Sequence, residues 1–129
     1  MRHHLPVRWI VDGNNVMGAR PDGWWRDRAG AARALAGQVA AFAAAVGEPV
    51  TLYFDGPEQD LGQPGLEVVF ADRPGRNAAD EAIAERVGRD ARPQEIRVVT
   101  SDRELAATVQ AAGAEVEGAG RFRARLESL

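Results

Sequence analysis

Neither cysteine nor lysine occurs in the 129 residues, tyrosine occurs once, and aromatic residues make up only 6% of the chain. The lack of cysteine removes disulfides, thiolate chemistry and cysteine-ligated zinc, and suits a reducing, cytoplasmic setting. No apolar stretch approaches the roughly 20 residues that cross a bilayer; the longest, residues 39–46, is mostly alanine. A membrane protein is therefore not expected. The start, Met1-Arg2-His3-His4-Leu5-Pro6, lacks the apolar segment a signal peptide requires. Without lysine, all sixteen basic residues are arginine, which codon usage in a GC-rich genome explains, given the abundant alanine and glycine. No Gly-rich loop follows the first apolar run, and neither Gly-Lys-Ser/Thr nor Asp-x-Asp occurs there. Phosphate-loop nucleotide binders and aspartyl-phosphate phosphatases are disfavoured accordingly. The net charge of −3 argues against a nucleic-acid partner only until four particular aspartates are set aside; without them the chain sums to +1.

What is present is a regular alternation. Apolar runs at residues 7–12, 50–55, 66–70, 95–100 and 114–117 read as strands. Residues 27–46 read as a long alanine-rich helix closed by Gly47, with Pro49 just beyond. Further helices are expected over residues 77–91, over 102–112 with Gly113 as its cap, and over 121–128. This pattern predicts one α/β domain over residues 1–129, a mostly parallel five-stranded sheet between two helical layers. Right-handed crossovers give the strand order 3-2-1-4-5. Residues 56–65 carry no helical pattern, although a parallel crossover usually needs about a dozen residues. The direction of the third strand is therefore left open.

In an open parallel sheet, ligands bind beyond the carboxyl ends of the strands, beside the switch in strand order. Asp12 ends the first strand, Asp55 ends the second, and Asp102 follows the fourth. Asp80 lies in the first turn of the second helix. At about 100° per residue it falls on the flank of the face carrying Ala79, Ile83 and Val87, whereas Glu81 turns to solvent. Clustered carboxylates repel and raise one another's pKa. A hard dication, Mg²⁺ or Mn²⁺, relieves that cost and prefers oxygen ligands. Two such ions about 3.5–4 Å apart suit phosphodiester hydrolysis. Three of the four, all but Asp12, also have a plainer reading. Asn77 to Asp80 resembles a helix start, Ser101-Asp102-Arg103-Glu104 a capping box, and Asp55-Gly56 a turn. Their convergence at one edge is what makes Asp12, Asp55, Asp80 and Asp102 candidate catalytic and metal-binding residues.

The segments Asp12-Gly13-Asn14-Asn15-Val16, Phe54-Asp55-Gly56, Asn77-Ala78-Ala79-Asp80 and Thr100-Ser101-Asp102, in this order, resemble the NYN domain family of the PIN-like nuclease superfamily, in its YacP-like branch. Asp-Gly-Asn-Asn is the most specific piece. The resemblance covers nearly the whole chain and implies an α/β/α fold with metal-dependent ribonuclease activity. It implies that Asp12, Asp80 and Asp102 are the main acidic positions, with Asp55 a fourth. Asn14 or Asn15 then orients the first aspartate or contacts phosphate, and Ser101 is the small hydroxyl residue beside the last. Many relatives carry an aromatic residue where this chain has Asn14.

Substrate contacts are expected from two loops. Trp24 and Trp25 stand among Arg20, Arg26 and Arg28, a mixture that suits stacked bases and backbone phosphates of single-stranded RNA. The alternative is that one tryptophan is a hydrophobic staple for the following helix. Arg73 and Arg76, just before Asn77, are placed to meet a phosphate, and Arg121, Arg123 and Arg125 read as a solvated helix face. The expected function is endonucleolytic cleavage of single-stranded RNA, leaving a 5′-phosphate. The other reading is a non-catalytic RNA- or ribosome-binding module of the same fold.

Overall fold

Strands with branched or aromatic residues on both faces need cover on both sides, and the helices supply it. The computed structural model describes residues 6–20, 22–73 and 77–129. Its strands are β1 (Arg8–Asp12), β2 (Val50–Asp55), β3 (Glu67–Ala71), β4 (Ile96–Val99) and β5 (Glu115–Glu117). They form one sheet in the order β3-β2-β1-β4-β5, and every neighbouring pair is parallel. The expected order and layering are therefore those observed, and the third strand runs parallel to the second.

Among the described residues five α-helices flank the sheet: α1 (Gly13–Met17), α2 (Arg28–Val46), α3 (Ala78–Gly88), α4 (Arg103–Ala111) and α5 (Ala119–Glu127). One face of the sheet packs on α1, α2 and α5 through Trp9, Val11, Leu35, Val39, Leu52 and Phe122. Phe42 joins Trp9 and Phe122 in edge-to-face contacts of 5.1 and 5.0 Å, the geometry aromatic quadrupoles favour. The other face packs on α3 and α4 with aliphatic side chains, among them Ile83, Val87, Val98 and Val109. α2 has 19 residues and a mean hydropathy of 1.3, long and apolar enough by those measures to cross a bilayer, which the sequence reading did not anticipate. Its apolarity comes from ten alanines, while its larger side chains Leu35, Val39 and Phe42 are buried in the core.

Several boundaries shift for local reasons. α1 was not expected, because Gly and Asn are poor helix formers; it forms under the caps described below. α3 ends at Gly88 rather than near residue 91, since Asp90 is drawn into ion pairs with Arg8 and Arg86. The β2–β3 crossover contains no helix. It turns at Gly56, whose φ of 89° suits glycine, and anchors itself by burying Leu61.

Candidate active site

β1 delivers Asp12 to the carboxyl edge of the sheet, where it caps α1 and is only 3% exposed. Thr100 Oγ1 donates to its Oδ2 at 3.0 Å, and the Asn15 amide donates to its Oδ1 at 3.4 Å. Both donors are neutral. Burial therefore raises the Asp12 pKa to about 6, opposed by those hydrogen bonds and helped by the charge of Asp55.

The neighbouring strand exits are tied to this point by the two asparagines. Asn14 Oδ1 accepts from the Asp55 amide, and Asn15 Oδ1 from the Ser101 amide, both at 2.7 Å. Asn14 thus fastens the exit of β1 to that of β2, and Asn15 to that of β4. Their side-chain oxygens hold the frame, leaving the amide nitrogens for any substrate.

Asp55 acts at a distance in sequence. Its Oδ1 accepts from the Ala79 amide at 2.7 Å and so caps α3, whereas the Asn77 side chain makes no capping hydrogen bond. Asp102 caps α4, its Oδ1 accepting from the Leu105 amide at 2.9 Å. The capping-box reading of Ser101 is corrected accordingly: Ser101 Oγ accepts from the Ala119 amide at 2.8 Å and serves α5 instead. Thr100 Oγ1 also accepts from the Asp102 amide at 3.1 Å. It therefore bridges two of the four aspartates, a role the sequence reading missed. The only signal for it was a hydroxyl at the buried end of β4.

Asp80 joins the group from the first turn of α3, half-buried, while Glu81 is exposed as expected. It stands near enough to Asp12, Asp102 and Asp55 for their charges to act on it. Burial raises its pKa to about 7, followed by the charges of Asp12, Asp102 and Asp55. Among the described residues no arginine pairs with any of the four aspartates, and no three acidic or histidine side chains are close enough to form a ready-made ligand shell. The donor set is all oxygen and lacks compensating charge, which fits a hard dication. Mg²⁺ usually keeps several waters and takes only one or two carboxylates, so a closed protein shell is not required.

The other expected contacts divide. Trp24 is half-buried against the α2 side of the core, which supports the staple reading, and Trp25 is 50% exposed. Arg28 and Arg26 lie over their rings, at 5.4 and 6.0 Å from the centroids. Arg73 is engaged with Glu85 at 3.0 Å. Arg123 pairs with Asp22, and Arg125 with the buried Glu117, so these two are structural rather than solvated. Arg76 lies outside the described residues.

The sequence model of the YacP-like NYN domain matches residues 9–129. Among solved structures, the chain is similar to Rae1 (YacP) from Bacillus subtilis. A crystal structure of a single-substitution mutant of that protein matches with a TM-score of 0.79 and 25% identity, over 95% of this chain and 76% of that one. Another crystal structure of the same protein matches with a TM-score of 0.70 and 23% identity, over 94% and 74%. No curated protein matches.

Proposed function

We propose that this chain, which belongs to the YacP-like NYN domain family and has its PIN-like nuclease fold, is a metal-dependent ribonuclease hydrolysing single-stranded RNA at Asp12, Asp55, Asp80 and Asp102. One observation carries the reading. Burial and the charges of Asp12, Asp102 and Asp55 all act against a charged Asp80, and among the described residues no arginine pairs with any of the four, a cost that a bound cation would relieve. Asp12, Asp80 and Asp102 would hold Mg²⁺ or Mn²⁺, with Asp55 beside them. The ion supplies Lewis acidity and neutralises charge on the phosphate. The protein's own part is positional: Thr100, Asn14 and Asn15 fix where the carboxylates stand, and Trp25 with Arg26 and Arg28 offers an exposed surface for bases and phosphates.

Cleavage of single-stranded RNA should appear with Mg²⁺ or Mn²⁺ and disappear with chelator. Asp12→Asn should lower it by about 10³-fold, the scale of several kcal/mol of lost charge stabilisation. Equal rates for wild type and Asp12→Asn would end the proposal. The exposed Trp25 with Arg26 over its ring would equally serve a second reading, a non-catalytic RNA- or ribosome-binding module. Binding that survives Asp12→Asn, with no cleavage by any form, selects it.

A further inference from the structure

Beside Asp55, at the carboxyl end of β2, lies a cavity of about 270 Å³. Its apolar wall includes Met17, Ala32, Phe54 and Phe70. The two phenylalanine rings are stacked with centroids 5.9 Å apart and planes at 21°. Polar groups punctuate this wall. Gln59 Nε2 donates to the Ala29 carbonyl at 3.3 Å, which anchors the side chain and leaves its Oε1 as an acceptor. Asn14 contributes an amide nitrogen that has no partner among the described residues. Arg28 completes the lining; among the described residues it has no carboxylate partner and rests over Trp24.

We propose that this cavity is a nucleobase pocket, taking one unstacked base of the single strand whose phosphate lies at the carboxylates. The proposal rests on the ribonuclease reading and adds a specificity site to it. Four features point to a base rather than another group. The volume is below the 300–1,000 Å³ of drug-sized sites, leaving room for a single planar group. Flat aromatic and apolar walls with one donor and one acceptor suit the edge of a splayed-out base. Arg28 supplies positive charge where the attached phosphate passes. Asp55 belongs both to this lining and to the carboxylate group, so the two sites are continuous. The cavity on the other side of the cluster, between α3 and α4, is lined beyond Asp80 and Asp102 by Glu81 and Glu104, whose charges lie outside the proposed cation site and would repel a phosphate chain. The strand is therefore directed toward Gln59.

The test uses single-stranded RNA randomised at the positions flanking one cleavage site, with Mn²⁺. Wild type should prefer one base at a single flanking position. Gln59→Ala should reduce that preference about five- to tenfold in kcat/KM, the scale of one lost hydrogen bond. Arg28→Ala should raise KM for all four bases alike. A second arm measures anisotropy of labelled homopolymers on Asp12→Asn and on Asp12→Asn with Gln59→Ala. If no form cleaves, yet base-dependent affinity is present and is lost with Gln59→Ala, the pocket stands and the nuclease reading falls. Cleavage whose base preference Gln59→Ala leaves unchanged overturns the pocket and keeps the nuclease. Equal affinity for all four homopolymers overturns the pocket in the binding arm.

Discussion

Asp80 and Asp90 stand at opposite ends of α3 and answer to opposite electrostatics. At the helix start, Asp80 faces other carboxylates, and its pKa is raised to about 7 by burial and then by Asp12, Asp102 and Asp55. Just past the helix end, Asp90 accepts from Arg8 at 2.7 and 2.8 Å, from Arg86 at 2.7 Å and from the Arg92 amide at 2.8 Å. Those bonds hold its pKa well below the ordinary carboxylate range. The helix dipole alone would give the reverse order, favouring charge on Asp80 and opposing it on Asp90. Its contribution is about 0.3–1 kcal/mol at an exposed helix end, and the specific neighbours outweigh it. Arg8 and Arg86 meet the acid at the end of α3, where charge pairing serves stability, and among the described residues no arginine pairs with any of the four aspartates at the carboxyl edge.

Three measurements break or sharpen that contrast. The largest effect is expected from Thr100→Val, which removes the neutral donor to Asp12 and the acceptor for the Asp102 amide. Cleavage should fall about 10–100-fold, as for lost outer contacts of a metal site. The acidic limb of the pH–rate profile should move upward, because a hydrogen bond that favours the Asp12 carboxylate is gone. A slower variant with an unmoved profile would reduce Thr100 to packing.

Next comes Asp90→Asn, expected to cost about 1–2 kcal/mol at pH 7 from lost charge-assisted hydrogen bonds, discounted for solvent screening. Because the folded pKa is depressed, the stability due to Asp90 is present above the unfolded value of 3.8 and is lost as pH falls below it. The melting-temperature gap between wild type and variant should accordingly close on acidification. A gap independent of pH would contradict the ion-pair account.

The smallest effect has the opposite sign. With a raised folded pKa, Asp80 makes the metal-free protein less stable as pH climbs from 3.8 through about 7. Asp80→Asn in chelator should gain about 1 kcal/mol at pH 8, discounted because the group is partly exposed, and nothing below pH 4. Adding Mg²⁺ should then stabilise wild type more than the variant. Thermal unfolding in which Asp80→Asn is no more stable than wild type at pH 8 would remove the repulsion argument.

The strands and their order were legible because apolar runs and turn residues are local signals. Strand ends placed Asp12, Asp55 and Asp102 at one edge before any side chain was known. What escaped was every bond made across the chain. Asp55 caps a helix that begins 23 residues later, and Ser101 serves α5 rather than its own α4. A local capping box cannot foresee such partners, since a hydroxyl or carboxylate takes whichever backbone donor the fold brings near. α1 was missed for the same reason: its stability lies in packing against β2, α2 and α5, and in the side-chain bonds to Asp55 and Ser101, not in its propensity. Gln59 was missed because only the closed crossover brings it beside Asp55.

Gly13 follows Asp12 directly, and a methyl group on it would lie 2.6 Å from both the Tyr53 carbonyl oxygen and the Phe54 ring. Those atoms belong to backbone and a packed aromatic, so they cannot swing aside, and any larger residue must wedge β1's exit away from β2's. The gap between the first aspartate and Asp55, and with it the mouth of the cavity beside them, is set by the smallest side chain in the protein.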